Sequence, residues 1–77
     1  IYLVRDRLTL AGNKGEFLFI ILLTEKVSGV TLKGLEFPLQ NAELEMGSSL
    51  GISNRFAAKE AVVSIRQGIV IVTKSKD

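Results

Sequence analysis

The longest uninterrupted apolar stretch of this 77-residue chain is short, with seven residues from Phe17 to Leu23. A helix that crosses a membrane needs about 20 apolar residues, so this stretch is not a membrane span. Turn signals flank it, at Asn13-Lys14-Gly15 and from Thr24 to Gly29. Because short apolar runs between turns favour strands over helices, we predict a strand that is buried on both faces.

Other strand signals follow along the chain. Ile1 to Val4 is β-branched and aromatic, so the chain begins inside a strand, as expected of a piece of a longer protein. The segment Ala42-Glu43-Leu44-Glu45-Met46 alternates apolar and acidic residues. This period of two is typical of a half-buried antiparallel strand with one charged face.

The segment Val30 to Leu39 also alternates, but its phase slips by one residue at Gly34. We predict a bulge or tight bend at Gly34, since an extra residue would return the later apolar side chains to the core face. The residues expected on that face are Val30, Leu32, Leu35, Phe37 and Leu39. Pro38 has no N–H to donate, so its strand should lie at a sheet edge or turn that position to solvent.

The second half of the chain contains a break and a predicted hairpin. Gly47 to Asn54 reads GSSLGISN and is rich in glycine and serine, which indicates a loop. Ala61 to Arg66 and Ile69 to Thr73 are predicted to pair around Gln67-Gly68. A weak helix signal from Asn54 to Val62 is short and lacks a capping box, so we expect at most a turn there.

These signals, at spacings of about ten residues, predict an all-β antiparallel β-sandwich, jelly-roll-like or barrel-like, with little or no helix. We expect residues 1–77 to form one domain. Such a small chain buries only about 60% of the surface that its unfolded form exposes. With 47% hydrophobic residues and a positive mean hydropathy of +0.32, it should have a surface that another chain or domain covers.

Composition excludes several kinds of chemistry. The chain has no Cys and no His, so disulfides, thiolate zinc sites, histidine triads and cysteine nucleophiles are impossible within it. No signal peptide is visible, and the absence of cysteine suits a reducing compartment, so we expect a cytoplasmic protein without a membrane partner. Any reaction in which this chain takes part needs groups from elsewhere.

Nucleic-acid binding is not favoured either. The net charge is +2, and the ten basic residues are scattered among acids instead of forming a basic stripe. Phe17, Phe19 and Phe37 could stack on bases, but each lies in an apolar pattern where burial in the core is the ordinary explanation. We therefore expect no nucleic-acid partner.

Two segments are candidate sites on residue chemistry alone. Glu43 and Glu45 would lie about 7 Å apart on one strand face, as in a metal pair or an acid and base pair, but a solvated strand face is the more ordinary interpretation. Gly47 to Asn54 gathers small and polar residues that could approach a ligand or simply form a loop. No lysine follows its second glycine, so it is not a P-loop.

A family resemblance favours a site in that segment. Gly29 to Leu39 reads GVTLKGLEFPL, and Ala42 to Phe56 reads AELEMGSSLGISNRF. Together with a closing segment from Ala61 to Lys74, these motifs resemble the C-terminal domain of bacterial thiamine pyrophosphokinase. The resemblance extends from about Tyr2 to Lys74.

The resemblance implies a thiamine-binding β-sandwich domain whose N-terminal partner, an α/β domain, lies outside this chain. In that family the N-terminal domain binds ATP and Mg²⁺. The enzyme is a homodimer with its active site between the α/β domain of one subunit and the β domain of the other. It transfers a pyrophosphoryl group from ATP to the thiamine hydroxyl and releases AMP, so this chain alone should be inactive.

Site residues also follow from the resemblance. Ser53 and Asn54 match a Ser-Asn pair that lies against the aminopyrimidine of thiamine, and Phe56 matches an aromatic position with a wall or a core role. The other candidates for thiamine contacts share the segment and are Ser48, Ser49 and Gly51. No catalytic residue and no metal ligand is expected in this chain. The alternative interpretation is a non-enzymatic β-sandwich that docks a partner through an apolar face.

Overall fold

The computed structural model describes residues 1–47 and 51–75, which form eight strands and no helix. The strands are β1 (Tyr2–Val4), β2 (Arg7–Ala11), β3 (Phe17–Leu22), β4 (Lys26–Lys33), β5 (Leu39–Glu45), β6 (Gly51–Arg55), β7 (Glu60–Ser64) and β8 (Val70–Ser75). The described residues therefore form short strands joined by turns and short connections. The expected all-β class is confirmed, and the described residues contain no helix that could cross a membrane.

Two antiparallel sheets make up the sandwich. Sheet I has the strand order β1-β8-β3-β6, and sheet II has the order β2-β7-β4-β5. Every pairing between strands is antiparallel. The edge strands are therefore β1 and β6 in sheet I, and β2 and β5 in sheet II.

The core lies between the two sheets and is aliphatic apart from one aromatic ring. Alternate residues of the strands contribute to it because successive side chains of a strand point to opposite faces. Its buried apolar residues are Val4, Leu10, Leu18, Ile20, Leu22, Val27, Val30, Leu32, Leu35, Phe56, Ala61, Val63, Ile65, Val70 and Val72. The apolar side chains of β5 are half-buried against this core, while Glu43 and Glu45 are exposed, as the alternation predicted.

The prediction that β3 is buried on both faces was wrong. Its even-numbered residues enter the core, whereas Phe17 and Phe19 are half-buried on the other side and Ile21 is 44% exposed. A strand in a two-layer sandwich has a single core face, and among residues 1–47 and 51–75 nothing covers the second face of β3 to the same degree. The continuous apolar run thus gives sheet I an apolar outer surface.

The segment Val30 to Leu39 is two strands joined by a connection, not one bulged strand. β4 ends at Lys33, and Gly34 turns the chain with a positive φ of 75°. Leu35 returns to the core, but Phe37 is 65% exposed, so its predicted place on the core face was wrong. Pro38 lies just before the edge strand β5, where no ladder hydrogen bond needs its missing N–H.

The predicted hairpin around Gln67-Gly68 was also wrong. β7 belongs to sheet II and β8 to sheet I, so the chain crosses from one sheet to the other at this turn. The turn is tied to Ser28 of β4, whose carbonyl accepts from Arg66 N at 2.9 Å and whose N–H donates to Gln67 O at 2.9 Å. Lys26 to Gly29, expected in a turn, belongs to β4 instead.

Gly34 should be among the residues least tolerant of substitution. A Cβ atom there would overlap the backbone carbonyl of Glu60, and its φ is positive. Gly15 is the matched control, with a φ of 92° but nothing within 4 Å of an added Cβ. Alanine at either position should cost about 1–2 kcal/mol for the left-handed backbone, and Gly34→Ala should lose about 1–3 kcal/mol more through the clash. Urea unfolding measures the stability of both variants, and an equal loss of stability in the two would contradict this account.

Candidate functional site

Strand β6 carries three of the predicted site residues at the edge of sheet I. It pairs with β3, where Ser53 lies opposite Phe19 and Arg55 lies opposite Phe17. Ser53 and Arg55 are exposed, and Asn54 between them is buried. Gly51 to Asn54, predicted as a loop, is therefore strand, and its alternation sends Ser53 and Asn54 to opposite sides.

The side chain of Asn54 is 2% exposed and bonds to the backbone of Phe37. Its Oδ1 accepts from Phe37 N at 3.0 Å, and its Nδ2 donates to Phe37 O at 2.8 Å. Oδ1 also accepts from Arg55 N at 2.9 Å. A carboxamide has both a donor and an acceptor, so this one side chain satisfies both backbone groups of Phe37.

The connection between β4 and β5 is thereby fastened to β6. Besides the two bonds from Asn54, Glu36 N donates to Arg55 O at 2.8 Å and Ala57 N donates to Gly34 O at 2.9 Å. These contacts fix the backbone beneath Phe37, whose ring projects to solvent. The result is an exposed aromatic ring whose backbone is held by hydrogen bonds to neighbouring segments.

An open cleft of about 340 Å³ lies beside these residues and is called the β6 cleft below. It is lined by Phe17, Glu36, Phe37, Ser53, Asn54 and Arg55. Sequence reasoning had identified Ser53 and Asn54 but not the other four. The phase slip at Gly34 could not have separated Phe37 from the core, since Leu35 and Phe37 share one phase and only Leu35 is buried.

The guanidinium of Arg55 packs on an aromatic side chain of β3. Its guanidinium carbon lies 4.5 Å from the centroid of the Phe17 ring, and Phe17 stacks on Phe19 with centroids 6.1 Å apart. The β6 cleft thus combines aromatic surface, a hydroxyl, a carboxylate and a guanidinium. Such a set suits a flat heterocycle with polar edges and charged substituents.

The remaining predicted site residues have different positions. A Cβ atom at Gly51 would lie 2.6 Å from the carbonyl oxygen of Ile20, so glycine is needed there for β6 to approach β3. Phe56 is fully buried, which gives it a core role. Ser48 and Ser49 lie outside the described residues.

The two glutamates of β5, Glu43 and Glu45, lie on a solvent-exposed strand face. Both are exposed; Glu45 lies 3.9 Å from Lys26 Nζ, and Glu43 accepts a 3.5 Å hydrogen bond from the hydroxyl of Ser28. Within residues 1–47 and 51–75, no group of three or more Asp, Glu, His or Cys could hold a metal ion.

Comparisons with known proteins agree on one family. Residues 7–70 match the family model described as thiamin pyrophosphokinase, vitamin B1 binding domain. The chain is 33% identical over 61 residues to the thiamine pyrophosphokinase of Bacillus subtilis strain 168, which covers 79% of this chain and 28% of that protein.

Solved structures show the same similarity. The crystal structure of thiamin pyrophosphokinase from Geobacillus thermodenitrificans superposes with a TM-score of 0.88 at 27% identity, over 97% of this chain and 36% of that chain. For the Bacillus subtilis thiamine pyrophosphokinase structure the TM-score is 0.84 at 26% identity, with the same coverage. The chain thus spans about a third of the length of these relatives.

Asn54→Ala should destabilise the fold and free Phe37. Loss of the carboxamide leaves partly buried backbone groups without partners, at a cost of about 1–3 kcal/mol. Ser53→Ala, at the exposed neighbouring position, should stay within about 0.5 kcal/mol of the parent. Chemical unfolding measures the stability, and amide hydrogen exchange at Phe37 should accelerate in Asn54→Ala alone. A Phe37 amide that exchanges at the same rate in both variants would show that Asn54 does not hold it.

Proposed function

We propose that this chain, which belongs to the family of thiamin pyrophosphokinase vitamin B1 binding domains, binds thiamine in the β6 cleft. The observation that carries the proposal is the exposed Phe37 ring, fastened by the buried Asn54 beside the exposed Ser53. An aromatic face and a hydroxyl on fixed backbone are the two features that a flat, polar ring system needs.

The chemistry of the aminopyrimidine fits this arrangement. The ring presents an exocyclic amine donor and ring-nitrogen acceptors, and a serine hydroxyl can both donate and accept. We assign the polar contact to Ser53 and the stacking contact to Phe37. Asn54 then acts as a positioning residue, because its carboxamide is already bonded to Phe37 and to the backbone of Arg55.

We assign the transfer step to a domain outside these 77 residues. The full-length protein would be a thiamine pyrophosphokinase in which a pyrophosphoryl group passes from ATP to the thiamine hydroxyl and AMP is released. Phosphoryl transfer depends mainly on positioning and on charge stabilisation around the phosphates. As the family resemblance implies, ATP and Mg²⁺ would bind to the N-terminal α/β domain, and this chain would hold the acceptor.

A homodimer is the second part of the proposal, and the outer face of sheet I supports it. This face consists of the outward residues of β1, β8, β3 and β6, on which Leu3, Ile71 and Ile21 stand side by side. Leu3 is 58% exposed, and Leu23, next to β3, is 45% exposed. An apolar sheet face of this kind is typical of an interaction surface.

Sheet II provides the contrast. Its outward positions carry charged, exposed residues, among them Arg7, Lys33, Glu45 and Glu60. Outward positions of sheet I are nearly uncharged, so two copies can meet there face to face without placing many like charges together. The apolar residues that the core does not use are thus gathered on one surface, the outer face of sheet I.

Thiamine affinity should depend on Phe37 and Ser53. In the full-length protein, Phe37→Ala should weaken thiamine binding about tenfold, since an aromatic contact contributes about 0.5–1.5 kcal/mol. Ser53→Ala should weaken it about fivefold through one hydrogen bond. The control Ser64→Ala removes a half-buried hydroxyl from β7 of sheet II and should change nothing. Titration calorimetry measures the thiamine affinity of the wild type and of the three variants. A full-length wild type that binds no thiamine would favour the non-enzymatic interaction module.

Dimer formation should depend on the outer face of sheet I. A lysine at Ile21 would place a charge in the centre of the proposed interface, and the partly exposed position should tolerate it in the monomer. Sedimentation of the full-length protein should show a dimer at micromolar concentration and a monomer for Ile21→Lys. Thr9→Lys, on the exposed outer side of sheet II, should remain dimeric. A wild-type monomer, or dissociation by Thr9→Lys alone, would contradict this interface.

A further inference from the structure

A buried carboxylate, that of Glu16, lies in the connection between β2 and β3 and has no part in the function proposed above. In the part of the chain that the structure describes, Glu16 and Asn54 are the buried polar residues. The Glu16 side chain is 7% exposed; its Oε1 accepts from Asn13 N at 2.9 Å, and its Oε2 lies 3.8 Å from Lys74 Nζ. Lys74 Nζ also donates to Ala11 O at 2.9 Å. One lysine of β8 thus contacts both ends of this connection.

The same connection is bonded to the end of β6. Phe56 N donates to Glu16 O at 2.8 Å, and Gly15 N donates to Phe56 O at 2.8 Å. These two bonds continue the antiparallel pairing of β3 with β6 by one residue beyond Phe17 and Arg55, which lie opposite each other. The contact between the Arg55 guanidinium and the Phe17 ring therefore lies next to the connection that Glu16 and Lys74 hold.

The end of β6 also bonds to the other side of the β6 cleft. Backbone hydrogen bonds join residues 55–57 to residues 34–36, and the carboxamide of Asn54 holds Phe37. The end of β6 thus lies between the backbone that carries Phe17 and the backbone that carries Phe37. A displacement of the connection between β2 and β3 would therefore change the position of Phe17 relative to Phe37.

The position of this connection depends on the charge of Lys74. A carboxylate away from water is costly unless a cation and hydrogen bonds balance it. Among the described residues, Lys74 is the cation that pairs with Glu16. Without Lys74, the Glu16 carboxylate should turn toward water and give up its bond to Asn13 N. A glutamine at position 16 needs no cation and can keep that bond, since its amide oxygen also accepts.

We propose that Glu16, paired with Lys74, is a positioning residue of the β6 cleft, although neither side chain lines it. The pair fixes the connection between β2 and β3, and the connection fixes Phe17 and Arg55 at the edge of the cleft. This inference rests on the proposed function for its effect on thiamine binding. The position of Arg55 on Phe17 can be measured without any ligand, which keeps the two proposals separable.

Thiamine titration of the full-length protein by calorimetry is the first test. Lys74→Met should weaken thiamine binding about fivefold, as expected when a coupled contact is lost. Adding Glu16→Gln to that variant should return the affinity to within about twofold of the wild type, since no buried charge is then left unpaired. Lys26→Met is the matched control: it breaks the Lys26–Glu45 pair, 3.9 Å long with side chains 63% and 50% exposed, and should leave the affinity unchanged.

A second control and a spectroscopic measurement separate positioning from a general loss of stability. Val63→Ala removes core volume from sheet II, so it should lower stability without changing thiamine affinity. In NMR, the Arg55 Nε–Hε signal, identified by its loss in Arg55→Lys, reports the ring current of Phe17. That signal should move in Lys74→Met, return in the double variant and stay in place in Lys26→Met and Val63→Ala.

An affinity of Lys74→Met within twofold of the wild type would overturn the proposal. So would a loss of affinity that Val63→Ala reproduces, or a double variant that binds no better than Lys74→Met. If the wild type binds no thiamine, the proposed function is wrong and the Arg55 signal alone decides this inference. A signal that moves in Lys74→Met and returns in the double variant then supports the positioning role, and a signal that does not move refutes it.

Discussion

Each sheet of this small sandwich can bury one of its faces in the shared core, and the rest of the structure follows from that constraint. The aliphatic core uses alternate residues of the strands and leaves two outer faces that differ in chemistry. Sheet II presents charged residues such as Lys33 and Glu45, whereas sheet I presents Phe19, Ile21 and Ile71. The chain has enough apolar residues to fill this core, and further apolar residues remain on the outer face of sheet I.

The candidate site lies where the two sheets are tied together along an open side of the sandwich. Asn54 belongs to β6 of sheet I, and Phe37 belongs to the connection that leads into β5 of sheet II. A buried carboxamide that bonds to a backbone N–H and C=O holds two segments in one geometry. The exposed side chains of the β6 cleft, among them Ser53 and Arg55, are therefore attached to a backbone that is already ordered before a ligand binds.

Local patterns predicted local structure well. The alternation from Ala42 to Met46 gave the correct strand with its correct exposed face, because side-chain direction in a strand depends on the strand alone. The hairpin around Gln67-Gly68 was predicted wrongly because a turn does not specify the sheet to which the following strand belongs. That choice depends on β8 pairing with β1 and β3, which lie more than 45 residues earlier in the chain.

The sequence by itself determined the all-β class and, through the motifs GLEFPL and GSSLGISNRF, the family. Residue types and their order are sufficient for both, since strand periodicity and motif spacing are properties of the chain. Only the tertiary structure decided that Phe37 faces solvent, that Asn54 turns inward to hold it, and that Arg55 rests on Phe17. Those positions depend on contacts between segments distant in sequence, where the preference of one residue is outweighed by the packing of its neighbours.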